Sequence, residues 1–263
     1  MYEAMCKAVT LIPPDIGLCL KQSLGEEKEP LARRHLELTL ENAHLAAKGK
    51  GLVCGDTGYP LYFIKAGNNT KVEGGFGMLW EAAKKAVVKA TENNFLRPTM
   101  VDPLTRKNPE NNLGNEIPNI NLRFEGKDDG LEIIAVPKGG GSEIFGTFYK
   151  MMYPSDGKTG ILKFVIDCIC KGCYAGKICP PAIIGVGIGG TADICMRLAK
   201  EAAILSPLRK YNPDPKIAEL ERKLFSASRR LGVGPMGSQG INAVLSLHIR
   251  TAATHTAAPT CSS

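Results

Sequence analysis

Apolar residues in this chain switch repeatedly between helical spacing and short strand-like runs, and glycine or proline closes most of these stretches. Such alternation confines the chain to layered α/β architecture. Pro13-Pro14-Asp15 opens a predicted helix to about Ser23, and Glu29 to Lys48 reads as a longer one, with Leu36, Leu40, Ala43 and Ala47 on one face. It stops at Gly49 and Gly51, where a helix C-terminus is expected. Leu61 to Ala66 has strand chemistry, and Met78 to Thr91 carries Leu79, Ala83, Ala86 and Ala90 at helical spacing. Arg97 to Pro118 is rich in proline and asparagine, a long polar loop that a compact domain keeps for function rather than packing.

The second half repeats the alternation. Leu131 to Val136 is a predicted strand feeding a turn at Gly139, and Ile161 to about Cys170 is helical, with Ile161, Val165 and Cys168 on one face. Ala182 to Ile188 suits a buried strand. Thr191 is placed to cap a helix bearing Ile194, Leu198 and Leu205, and Asn212-Pro213-Asp214-Pro215 supplies an N-cap and first-turn proline for another. That helix carries Ile217, Leu220, Leu224 and Leu231 and ends at Gly232. Ile241 to Arg250 alternates apolar with polar residues, a strand with one buried face. The expectation is α/β, mixed helices and strands in one large domain over 1–263, with the sheet order left open and no internal repeat.

At 263 residues and 44% hydrophobic, the chain can bury a full core. Its net charge of +7 is spread along the sequence and aromatics are 6%, which argues against a nucleic-acid groove and suits small dicarboxylates instead. There is no uninterrupted apolar stretch of membrane-spanning length, and Met1 to Lys7 lacks the layout of a signal peptide. A cytoplasmic protein without membrane contact is expected. Nine cysteines, an odd number, fit reduced thiols and metal binding better than a disulfide framework.

Three segments carry the chemistry. Val53-Cys54-Gly55-Asp56-Thr57-Gly58, Gly139-Gly140-Gly141-Ser142-Glu143, and Cys179-Pro180-Pro181 leading to Gly185-Val186-Gly187-Ile188-Gly189-Gly190-Thr191 each set small residues where backbone amides can approach a charged ligand. Two of them hold a cysteine beside a turn. Taken singly, a glycine stretch is a strand-to-helix turn, Asp-Thr-Gly is a common turn sequence and a lone cysteine is a small buried hydrophobe.

In this order along the chain, the segments resemble the α part of the iron-sulfur fumarate hydratase (class I) and L-tartrate dehydratase family. The resemblance extends over nearly the whole chain, including Leu231-Gly232-Val233-Gly234-Pro235-Met236-Gly237. It implies a hydro-lyase α subunit that interconverts a 2-hydroxydicarboxylate with its unsaturated or oxo product, malate and fumarate first and L-tartrate second. It further implies a 4Fe-4S cluster on three cysteines, carried over to Cys54, Cys179 and Cys261, the last following Thr254-His255-Thr256-Ala257 at a spacing shorter than the family's. Asp56 then belongs to the proton relay, His255 stands by the substrate hydroxyl, and Arg97 and the turn Gly140, Gly141 and Ser142 take the substrate carboxylates. A β subunit is implied for the remaining groups, giving a heterodimer or heterotetramer. Gly55 stands where the family has glutamine.

Two other readings compete. Cys168, Cys170, Cys173 and Cys179 resemble loosely a ferredoxin run, which would make an electron carrier, although Cys168 falls on an apolar helix face. The turn at Gly185 to Gly190 suggests a dinucleotide-binding module but lacks the Gly-x-Gly-x-x-Gly spacing. Cys6, Cys19 and Cys195 have helical apolar contexts and read as structural, and His35, His44 and His248 as structural or solvated.

Overall fold

The structure, a computed structural model, describes residues 1–126, 128–257 and 259–263. Along these residues run α1 (Tyr2–Thr10), α2 (Pro14–Glu26), α3 (Pro30–Ala47), β1 (Tyr59–Ala66), α4 (Met78–Glu92), β2 (Asn119–Phe124) and β3 (Leu131–Lys138). They are followed by β4 (Tyr149–Met151), α5 (Gly157–Tyr174), β5 (Ala182–Ile188), α6 (Ala192–Leu205), α7 (Pro215–Ser228), β6 (Val244–Thr251) and β7 (Thr260–Ser262). Mixed sheets flanked by helices make this an α/β protein, as the alternation predicts. Its contacts gather into two compact units: Met1–Ile12 with Glu41–Gly140, and Pro13–Leu40 with Gly141–Ser263. Among the described residues no helix is long and apolar enough to cross a membrane.

The first unit is built on a three-stranded sheet of order β2-β1-β3. β1 lies parallel to β2, with Leu61 opposite Asn119, and antiparallel to β3, with Leu61 opposite Val136. Tyr62 and Ile64 of β1 pack with Met5 and Val9 of α1 and with Leu79, Ala83, Val87 and Ala90 of α4. Burying side chains of this size contributes roughly 1.5–3 kcal/mol each, which holds both helices on the sheet. Two elements here go beyond the sequence reading. α1 buries only Met5 and Val9, too few positions for a clear period, and β2 follows directly on the proline- and asparagine-rich loop.

The second unit holds a four-stranded sheet of order β4-β7-β5-β6, with β5 and β6 parallel and β7 antiparallel to both β4 and β5. α6 lies against β5 because two strand glycines leave room for it. A Cβ on Gly185 would stand 2.0 Å from the Ala199 carbonyl oxygen, and one on Gly187 2.1 Å from that of Cys195. Gly189 and Gly190 have φ of 89° and 75°, and their amides donate to the Thr260 and Ala253 carbonyls. Their amides are therefore spent on folding, which removes the basis of the dinucleotide reading.

β6 corrects a second expectation. Val244 through Ile249 are all buried, so the strand is covered on both faces and its polar members are internal. His248 Nε2 and Ser246 Oγ lie 2.8 Å apart, and burial, then the Arg250 charge, push the imidazole below its ordinary value. His248 is thus a buried, neutral group rather than a solvated one. Asp214 caps α7 by accepting the Lys216 amide, as predicted. Thr191 occupies the N-cap position of α6 without capping it, its hydroxyl donating to the Asp193 carboxylate instead.

Candidate active site

In the first unit, the Cys54 turn is tied down from two sides. The Val53 amide donates to the Val9 carbonyl at the end of α1, and Asn42 Nδ2 donates to the carbonyls of Leu52 and Val53. Cys54 is exposed, and its sulfur accepts the Asp56 amide at 3.4 Å. The Asp56 carboxylate in turn accepts the Gly140 amide on Oδ2 at 2.8 Å. In place of an amide open to a substrate carboxylate, Gly140 thus offers a donor that orients Asp56. Gly139 is needed for this approach, since a Cβ there would fall 2.4 Å from Asp56 Oδ2.

Arg97 joins the same cluster through its backbone. Its amide donates to the hydroxyl of buried Thr57 at 3.4 Å, one residue beyond Asp56. A Cβ on Gly58 would stand 1.8 Å from Thr99 Oγ1 and 2.3 Å from the Arg97 carbonyl oxygen, so the Arg97 segment lies directly on this turn. The guanidinium is exposed and has no partner among the described residues. The first unit therefore brings Cys54, Asp56, Arg97 and Gly140 together. A thiol, an oriented carboxylate and an open guanidinium suit an acidic ligand whose protons must be moved.

The remaining predicted residues belong to the second unit. Gly141–Phe145 forms a single π turn, closed by the Gly146 amide on the Gly141 carbonyl at 2.8 Å. This turn sits on the loop before Cys179, because a Cβ on Gly141 would stand 2.5 Å from the Lys177 carbonyl oxygen. Ser142 is exposed on it, and Glu143 pairs with Lys200 of α6 at 2.7 Å. Cys179 is exposed, with a φ of 53°. A non-glycine residue in that region costs on the order of 1 kcal/mol, a strain that clusters at functional positions. His255 is exposed between β6 and β7, and its Nδ1 accepts the Ala257 amide at 3.1 Å. An accepting Nδ1 leaves the neutral ring's proton on Nε2.

Cys261 differs from the other two predicted thiols. It lies in β7 between Lys150 of β4 and Ile188 of β5 and is 0% exposed. Burial, then the neighbouring thiols of Cys195 and Cys168, push it up to about 12, so it is protonated at neutral pH. Among the described residues no group of three or more His, Cys, Asp or Glu stands close enough to hold a metal. Cys54 of the first unit and Cys179 of the second are each exposed turn thiols, whereas Cys261 is a core position of its sheet. The ferredoxin-like run does no better. Cys168 and Cys173 are buried in the core of α5, and burial raises both thiols and that of Cys170.

Thr57, Asn112 and Glu143 support these positions yet carry no assignment from sequence. Glu143 lies inside a glycine motif and Thr57 directly after Asp56, so their places give a hint; Asn112 is one asparagine among several in its loop.

Known proteins add a direct comparison. The family model described as fumarate hydratase (Fumerase) matches residues 1–262. A Methanocaldococcus jannaschii protein, provisionally named as an L(+)-tartrate dehydratase subunit alpha, is 39% identical over 258 residues, which is 98% of this chain and 89% of the relative. The L(+)-tartrate dehydratase subunit alpha of Escherichia coli K12 is 32% identical over 246 residues, 94% of this chain and 79% of that protein. With a family match over residues 1–262 and relatives 32–39% identical along nearly all of its length, the chain belongs to the fumarate hydratase family of hydro-lyases.

Proposed function

We propose that this chain is the α-type subunit of a hydro-lyase that reversibly removes water from a small 2-hydroxydicarboxylate, malate to fumarate being the first reading. The observation that carries it is the Asp56 carboxylate, oriented on Oδ2 by the Gly140 amide beside an exposed thiol and the Arg97 segment. Dehydration removes a carbon-bound proton from one carbon and a hydroxyl, leaving as water, from the next. With Oδ2 held by the amide, Oδ1 of Asp56 is the oxygen left to move that proton. The Arg97 guanidinium binds one substrate carboxylate as a bidentate fork. In the second unit Ser142 takes a carboxylate and His255, protonated on Nε2, serves the leaving hydroxyl.

Cys54 and Cys179 are proposed as this chain's thiols for an iron-sulfur centre, which when bound would supply a Lewis-acidic iron to polarise the substrate hydroxyl. The proposed partner is a β subunit in a heteromer, supported by relatives named as alpha subunits. Nine cysteines, an odd number, suit a reducing compartment, and we place the protein in the cytoplasm. Dehydration of L-tartrate to oxaloacetate is the second reading, favoured by the names of the same relatives.

The test is steady-state hydration of fumarate and dehydration of L-malate and L(+)-tartrate by the chain co-purified with its partner subunit. Asp56→Asn should cost about 10²–10⁴-fold in kcat, the scale of a lost acid-base group. Full activity in that variant would overturn the role of Asp56, and the ratio of kcat/KM values decides between the substrates.

A further inference from the structure

The loop from Arg97 to Met100 has no helix or sheet to hold it, yet five of its backbone polar groups are hydrogen-bonded. The Pro98 carbonyl accepts Asn108 Nδ2 at 3.0 Å, and the Arg97 amide rests on Thr57. The other three bonds converge on one side chain. Asn112 is fully buried, its Oδ1 accepting the Thr99 and Met100 amides at 2.9 and 3.2 Å while its Nδ2 donates to the Arg97 carbonyl at 2.9 Å. Its fourth bond runs from Nδ2 to Thr91 Oγ1 at 3.0 Å, and Thr91 itself donates to the Val87 carbonyl in the last turns of α4.

Both donors and both acceptor positions of the Asn112 amide are therefore used. Its φ of 57° lies in the left-handed region, which asparagine tolerates better than most residues. A buried, saturated polar side chain of this kind specifies one backbone conformation, because any shift leaves a group without a partner.

We propose that Asn112 is the positioning residue for Arg97: it relays the rigidity of α4, through Thr91, to the backbone that aims the guanidinium at a substrate carboxylate. The inference rests on the proposed role of Arg97 in binding that carboxylate. Asn112 touches no substrate. It acts on the pose of Arg97, so its loss is felt as weakened substrate binding rather than as a lost proton-transfer group.

Steady-state kinetics of the chain with its partner subunit test this, with fumarate and L(+)-tartrate as probes. Arg97→Ala should raise KM strongly. Asn112→Ala should raise KM by up to about 10²-fold, the scale of a 1 Å misplacement. Thr91→Val, which cuts the anchor to α4 and leaves Asn112 in place, should raise KM by a smaller factor in the same direction. Neither should change the pH profile of kcat. In the Arg97→Ala background, Asn112→Ala should add nothing further, since the group it positions is gone. A folded Asn112→Ala variant with unchanged KM would overturn the proposal, as would effects that multiply in the double variant. If Asn112→Ala does not fold, an unchanged KM in Thr91→Val overturns it equally. An unchanged KM in Arg97→Ala alone refutes the carboxylate reading on which the proposal stands, and is read separately from the Asn112 variants.

Discussion

Asp56 owes its pose to a side chain that Gly139 lacks. A methyl there would intrude on Asp56 from 2.4 Å at the carboxylate and 2.5 Å at its carbonyl oxygen, so one of the two segments would have to move. Gly55 is the contrast, because a Cβ there meets nothing within 4 Å. Gly139→Ala should accordingly lower kcat/KM by about 10²-fold, as a misplaced reacting group does, and Gly55→Ala should leave it near the native value. Steady-state kinetics of the two variants, with circular dichroism as a check on folding, decide this. The thiols give a second contrast. On the metal-free chain, iodoacetamide should label Cys54 and Cys179 within the folded state and reach Cys173 and Cys261 only after unfolding, read by peptide mass mapping. Cys54, Asp56 and Arg97 stand out in the sequence through the resemblance of their segments to the family. Asn112 does not, since nothing local separates it from Asn108, Asn111 and Asn115.

At the scale of elements, hydrophobic period and punctuation recover what packing alone dictates. β5 is read from sequence over the residues it occupies, 182–188, and α4 to within a residue of its end, because each has a continuous apolar signature. The buried face count of β6 is missed because Ser246 and His248 satisfy each other inside the core. Close approach of α6 to β5 carries its own prediction. Gly185→Ala drives a methyl into the Ala199 carbonyl and should destabilise the fold by about 1–3 kcal/mol, seen as a lower denaturant midpoint.

α2 supplies the pH-sensitive contact of the second unit, through Glu27 just past its end. Burial opposes ionisation of Glu27, but the Ile241 amide, Asn242 Nδ2 and the amides of Glu29 and Lys28 outweigh it and hold the carboxyl below its ordinary value of 4.5. A depressed carboxyl stabilises the fold above 4.5 and loses that contribution as pH falls through the folded value. Urea unfolding at a series of pH values should show Glu27→Gln less stable than the native chain at pH 7. The gap should close in the acid range below 4.5; a gap that stays constant with pH would contradict the assignment.

For the molecule as a whole, order along the chain is what made the family legible, and it is the family match over residues 1–262 that confirms it. The division into two compact units was not legible, because α3 runs across the boundary between Leu40 and Glu41 without a break in its apolar period. Nor was the burial of Cys261, since three residues of strand offer too short a pattern to reveal a core position. This chain is proposed to work as the α-type subunit of a dicarboxylate hydro-lyase whose substrate carboxylate meets Arg97. The most direct measurement follows the ultraviolet absorbance of fumarate during hydration by the chain co-purified with its partner subunit, native and Arg97→Ala side by side. The native complex should consume fumarate rapidly and the variant should show a strongly raised KM; no turnover of fumarate, L-malate or L(+)-tartrate by the native complex, or an unchanged KM in Arg97→Ala, would overturn that role.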